Sequence, residues 1–181
     1  MTDPFLQALA DPSVLPQSVR DLHHSPGEYV GECDIERGRG ILVQLALKLG
    51  RFPPAGRHVP VRLVTQTQDK DHSWLRDFGG HETTSELRFD AKTGYVNERF
   101  GPLSIRLKPV ASKRGLEVHV HRLTVFGVSL PQFLMPQSST SEWQDDLGRF
   151  RFDVASSMPG LGLLIRYHGW LTPLHSRAQV G

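Results

Sequence analysis

From residue 59 onward the chain repeats with a period of two, and that period restricts the fold more than any other feature. Val61, Leu63 and Thr65 alternate with Arg62 and Gln66, and Leu87 and Phe89 with Glu86 and Arg88. Leu103, Ile105 and Leu107 alternate with Ser104, Arg106 and Lys108, and Phe150, Phe152 and Val154 with Arg149, Arg151 and Asp153. Successive side chains of a strand point to opposite faces, so each run describes a half-buried antiparallel strand. Turn signals separate the runs: Gln68-Asp69-Lys70-Asp71, Gly79-Gly80, Ala91-Lys92-Thr93-Gly94, Gly101-Pro102 and Lys113-Arg114-Gly115. About nine strands are expected from this spacing, near 28–36, 59–68, 72–78, 83–89, 94–99, 102–110, 115–127, 147–156 and 161–171. Short connections make consecutive strands neighbours, and a sheet of that many strands must curl, close or split. The stretch Pro131 to Ser141 (PQFLMPQSSTS) reads as an irregular surface loop.

Helices are confined to the N-terminal third. Phe5, Leu6 and Leu9 line one face of a short helix that Asp11-Pro12 stops. A second starts at Leu15-Pro16, with Val19 and Leu22 on one face, and His23-His24-Ser25-Pro26-Gly27 breaks it. A strand carrying Tyr29, Val30, Cys33 and Ile35 follows, then Arg37-Gly38-Arg39-Gly40 and the helical run ILVQLALKLG. Gln44 and Lys48, four apart, form its one narrow polar stripe, so most of this helix should be buried. Gly50 caps it and Pro53-Pro54 prevents continuation. The expected fold is mainly β (α+β): a strongly curved antiparallel sheet or barrel, with the apolar helix at about 40–50 packed on the concave face. The expected organisation is a single domain over 1–181, with a helical segment at 1–27, the sheet at 28–173 and a tail at 174–181.

Composition removes several classes. A net charge of +2 is too small for a nucleic-acid binder that relies on bulk charge. The single cysteine, Cys33, excludes an intrachain disulfide framework and a multi-cysteine zinc site. The N-terminus has no basic region followed by an apolar run, so no signal peptide is expected. The longest apolar run, Ile41 to Leu49, is far short of the ~20 residues of a spanning helix. No membrane span and a cytoplasmic location are therefore the expectation.

Candidate chemistry is sparse. The Walker phosphate loop, H-E-x-x-H and G-x-S-x-G are absent. Gly38 and Gly40 stand between a strand and a helix, but a third glycine and a βαβ alternation are missing, so they read as a tight turn rather than a dinucleotide loop. Arg37 and Arg39 flank that turn and could meet an anion at the helix N-terminus. Glu117, His119 and His121 share one strand face, and two histidines at that spacing can chelate a divalent metal. The other reading of the pair is a solvent-facing strand. After His121 the apolar phase moves to Leu123 and Val125, which predicts a bulge. Glu142, Asp145, Asp146 and Asp153 form an acidic stretch that offers acid–base chemistry or surface ion pairs. Cys33 reads as a small buried residue rather than a nucleophile. Three tryptophans and nine phenylalanines should be mostly core. A curved sheet with them on its inner face either encloses a cavity for an apolar ligand or is filled by the helix at 40–50.

Five motifs occur in order: Glu36-Arg37-Gly38-x-Gly40, Phe78-Gly79-Gly80, Glu98-Arg99-Phe100-Gly101-Pro102, Gly148-Arg149-Phe150-x-Phe152-Asp153-Val154 and Tyr167-x-Gly169-Trp170-Leu171. This series resembles a bacterial family classed as a domain of unknown function, over nearly the whole chain. Members of that family are often fused behind an NAD(P)-binding domain of the saccharopine-dehydrogenase-like or epimerase-like type. The resemblance therefore implies an NAD(P)-dependent oxidoreductase as a partner and transfers no catalytic residue. Within the motifs, Arg37, Arg99, Arg149, Tyr167 and Trp170 become the candidate ligand contacts. The first expectation is a non-catalytic binding or accessory domain for a small, partly apolar molecule, with no cofactor of its own. The alternatives are an enzyme using a metal on His119 and His121 or acid–base work by Glu142 and Asp145, and a structural interaction module.

Overall fold

The alternating runs pair with their sequence neighbours and the sheet closes on itself. The computed structural model describes residues 3–24, 26–68 and 71–174. Among them are eleven strands: β1 (Gly27–Arg37), β2 (Gly56–Gln68), β3 (Asp71–Phe78), β4 (His81–Asp90), β5 (Tyr95–Phe100), β6 (Leu103–Ser112), β7 (Gly115–Val125), β8 (Val128–Ser129), β9 (Gln137–Gln144), β10 (Phe150–Met158) and β11 (Gly162–Pro173). Ten of them form a closed antiparallel barrel in chain order, β7 pairing directly with β9 and β11 with β1. The two-residue β8 only extends β7 as a hairpin. A barrel leaves no free edge, which removes the principal hazard of a long β-sheet. Where β11 meets β1 the backbones approach closely: a Cβ on Gly31 would strike the Trp170 carbonyl, and one on Gly169 the Glu32 carbonyl. Glycine is required at this tightly coiled seam.

All nine expected strands are present. β9 is the strand that the sequence concealed, and it replaces the second half of the expected loop at 131–141. Its inward residues are Ser138, Thr140 and Glu142, so it carries no apolar alternation. The predicted bulge is present: Leu107 faces Val120, Arg106 faces Arg122, and His121 is the extra residue. It restores Leu123 and Val125 to the interior face.

Three helices close the ends. The turns at 91–94, 113–114 and 145–149 and the start of β1 share one end. On it lie α1 (Pro4–Gln7), packed on β4, and α2 (Gln17–His24), packed on β9 and β10. Val19 and Leu22 are fully buried there, as the helical spacing predicts. The turns at 79–80, 101–102, 126–127 and 159–161 share the other end, where α3 (Ile41–Leu49) lies between β1 and β2. Here the burial expectation fails. Val43 and Leu47 are buried, but Ile41, Leu42, Leu45 and Leu49 are exposed. A helix laid across a barrel mouth has only one supported side, and among the described residues no element packs on the other.

One further expectation needs correction. Of the tryptophans only Trp74 is core. Trp143 and Trp170 lie outside the barrel under Arg151 and Arg149, whose guanidinium carbons stand 6.0 and 4.9 Å from the ring centres. The tail expected at 174–181 falls, after residue 174, outside the described residues, as does the turn at Asp69 and Lys70.

Candidate functional site

The barrel encloses a cavity of about 510 Å³. This is within the ~300–1,000 Å³ typical of small-molecule sites. Phe5 and Leu22 form its floor at the α1–α2 end. Leu63, Phe78, Leu107, Val118, Phe152 and Ile165 are among its apolar walls, and Ala46, Leu49 and Phe52 roof it at the α3 end. Leu49 both lines the cavity and is exposed, which places the mouth at the C-terminal half of α3. Of the two sequence readings, an open interior and one filled by the apolar helix, the first holds. α3 covers the end and does not enter the barrel.

One wall is polar. Arg76 on β3 points inward between Trp74 and Phe78. Its Nη1 donates to Ser85 Oγ at 2.8 Å and its Nη2 to Glu98 Oε1 at 3.2 Å. The guanidinium carbon lies 5.0 Å from the Trp74 ring centre. With Glu98 opposite it, Arg76 adds no net charge to the wall. Tyr167 lines the same cavity, packed on Phe78 and Phe152. Burial pushes its phenol up to about 12, with Arg76 opposing and Glu98 adding to the rise. The hydroxyl therefore stays protonated at neutral pH, and no hydrogen bond among the described residues engages it. The result is a mainly apolar chamber in which the neutral Tyr167 hydroxyl stands beside a satisfied ion pair, with further hydroxyls from Thr140 and Ser156 on the β9 and β10 walls.

At the floor, three charged groups are buried together. His23 Nε2 lies 2.7 Å from Glu142 Oε2, and Nδ1 lies 3.3 Å from Asp3 Oδ1. Asp3 also caps α1 by accepting from Phe5 N at 2.8 Å. Desolvation works against the charged imidazole, but the two carboxylates overcome it and raise His23 to about 10. The ring then donates from both nitrogens and has no lone pair left for use as a base. The adjoining pocket of about 10 Å³ has room for no more than about one water. Geometry and size make this cluster a buried fastening between α1, α2 and β9.

The residues singled out from the sequence are scattered. Tyr167 lines the cavity. Arg37 ends β1 with its Nε buried and unpartnered among the described residues. Arg99 is exposed on β5. Arg149 donates from Nε to Asp145 Oδ2 at 2.9 Å and covers Trp170 on the outer face. Glu142 and Asp145 are thereby committed to different partners, His23 and Arg149. His119 is exposed beside Glu117 at 3.6 Å, while His121 stacks on Tyr95 with ring centres 4.6 Å apart. Among the described residues no group of three His, Cys, Asp or Glu is arranged to hold a metal. Cys33 is buried, and burial pushes its thiol up to about 12, which suppresses the thiolate.

Sequence reasoning missed Arg76, Glu98 and His23. Parity could have found the first two. Arg76 shares a face with Trp74 and Phe78, and Glu98 with Val96 and Phe100. Within the Glu98-Arg99 pair the inward residue is the acid, one position from the arginine that was chosen. His23 stood in a helix-breaking run, and no local pattern ties it to residues 3 and 142.

Fold and cavity together define a closed antiparallel β-barrel with an open, mainly apolar interior. Residues 15–171 match the family described as Domain of unknown function (DUF4166), and the chain belongs to that family. No curated protein matches the chain.

Proposed function

We propose that this chain is a cytoplasmic, non-catalytic binding domain for a small, mainly apolar molecule that carries one neutral acceptor group, such as a carbonyl or hydroxyl. The observation that carries this reading is the 510 Å³ apolar cavity with the Tyr167 hydroxyl on its wall. A charged ligand head is disfavoured because Arg76 is already matched by Glu98, so a second charge would be buried without a partner. The arginines and Trp170 of the motifs, away from this chamber, are proposed to serve the outer surface. A further step, in which the bound molecule is presented to an NAD(P)-dependent oxidoreductase, is proposed only on what the resemblance of the sequence motifs implies.

The test is binding of the neutral dye N-phenyl-1-naphthylamine, followed by fluorescence. Wild-type protein should bind it at one site. Val120→Phe, which adds bulk to the cavity wall, should weaken binding at least ~10-fold while leaving the unfolding midpoint nearly unchanged, since the new ring fills empty space. Equal binding by both proteins would sink the proposal.

A further inference from the structure

Of the twelve exposed large apolar side chains among the described residues, eight belong to α3 or to the segment 126–134 at the same end, whereas Val14, Val110, Leu147 and Leu174 stand singly elsewhere. Ile41, Leu42 and Leu45 on α3 are 88%, 61% and 62% exposed. Phe126 at the β7–β8 turn and Phe133 in the segment leading to β9 are each 73% exposed. The two groups are joined along the rim. Phe52, just after α3, packs against Phe100 at 6.1 Å between ring centres, and Phe126 N donates to the Pro102 carbonyl at 2.9 Å. The mouth of the cavity lies between them, with Leu49 on one side and Leu130 and Pro136 on the other.

Phe126 is out of place for a turn residue. It and Gly127 form a two-residue hairpin turn with φ of 49° and 80°. Asn, Asp or Gly normally takes the first position of such a turn, and a bulky residue at positive φ is strained. The chain tolerates that strain and leaves the ring in solvent.

The segments that carry these side chains hold charge of one sign. Residues 37–58 contain Arg37, Arg39, Lys48, Arg51 and Arg57 and no Asp or Glu, and residues 123–141 contain no charged residue. Elsewhere the chain has sixteen basic residues against nineteen acidic ones. Arg39, Lys48 and Arg51 are exposed and form no ion pair among the described residues. Acidic residues are present near this end as well, on the strands rather than on α3 or the 126–134 segment: Glu36 ends β1, and Asp77 and Glu82 flank the turn at 79–80.

We propose that the α3 end docks on an anionic lipid bilayer, with Ile41, Leu42, Leu45, Phe126 and Phe133 entering the headgroup–acyl boundary and the basic residues meeting the headgroups. Isolated apolar side chains on a helix and on turn tips need no complementary pocket, as a protein partner would require, and lipid supplies none. Each basic residue near an anionic surface strengthens attachment by about fivefold. Self-association through the same face would set these basic residues against their own copies, which opposes it. The docking deepens the ligand reading and rests on it in one respect: the bilayer then supplies the apolar molecule through the adjacent mouth.

The experiment is flotation of the purified full chain with phosphatidylcholine vesicles, with and without about one-third phosphatidylglycerol. Wild type should float with the anionic vesicles and at least ~10-fold less with neutral ones, and added salt should release it. Ile41→Glu with Leu45→Glu should abolish flotation, because both positions are already in water and the fold does not depend on them. Phe126→Asn relieves the turn, so it should keep or raise the unfolding midpoint while lowering flotation several-fold. No flotation of wild type, flotation unchanged by these substitutions, or a wild-type dimer that they dissolve would each overturn the docking. Dye binding measured without vesicles separates the two readings. A variant that binds dye but does not float retains the cavity, whereas a wild type that floats but binds no dye removes the ligand reading alone.

Discussion

The two ends of this barrel treat similar residues in opposite ways. At one, Phe5, Val19 and Leu22 press into the barrel and His23 is fastened between Asp3 and Glu142. At the other, a helix at least as rich in leucine buries only Val43 and Leu47. The sealed end is a floor held by charge and packing together. The α3 end is a lid with an unsupported outer side beside a cavity mouth. Apolar content alone therefore does not say which helix is core. What decides is whether a second surface exists for the helix to meet, and in a barrel that depends on where the connections leave the sheet.

The comparison breaks most severely at His23. His23→Ala should cost about 3–5 kcal/mol, because two buried carboxylates lose their cation, and the loss is read from urea unfolding. Next, matched truncations sharpen the contrast. Leu22→Ala on the floor should cost about 2–5 kcal/mol, whereas Leu42→Ala on α3 should stay within about 0.5 kcal/mol. Equal costs would mean that α3 is as integral to the barrel as α2.

A smaller, graded effect comes from pH. Folding raises His23 from its ordinary 6.5 to about 10, so the folded state holds this proton more tightly than the unfolded chain. The contribution is complete below 6.5 and is lost as pH rises through 10. Stability should therefore fall between those limits by up to about 1.4 kcal/mol per pH unit from this group, and His23→Ala should remove that slope. Urea midpoints at pH 7 and pH 9.5 for the two proteins provide the check.

The gap between sequence and structure has the same origin in each region. Strands whose inner residues are apolar were legible, down to the extra residue at His121, because water exclusion imposes the period of two. β9 was not, since its inner face of Ser138, Thr140 and Glu142 looks toward a cavity and a buried histidine rather than toward packed hydrocarbon. It is also the strand that joins β7 to β10, so its concealment left closure undecided. Arg76 and Glu98 were hidden for a related reason. Charged residues on inward positions pair across the barrel, and a single strand does not reveal its partner two strands away.

By itself the sequence determined nine of the antiparallel strands, the neighbour order of those between 59 and 127, the bulge and the end of α3, because these follow from local periodicity, turn chemistry and caps. Only the tertiary structure decided that the sheet closes, that its interior stays open, and that α3 turns three of its four leucines to solvent. Those outcomes depend on distances between residues far apart in the chain. Residues 3, 23 and 142 meet, and α3 does not fill the space between the walls, for reasons that local patterns do not encode.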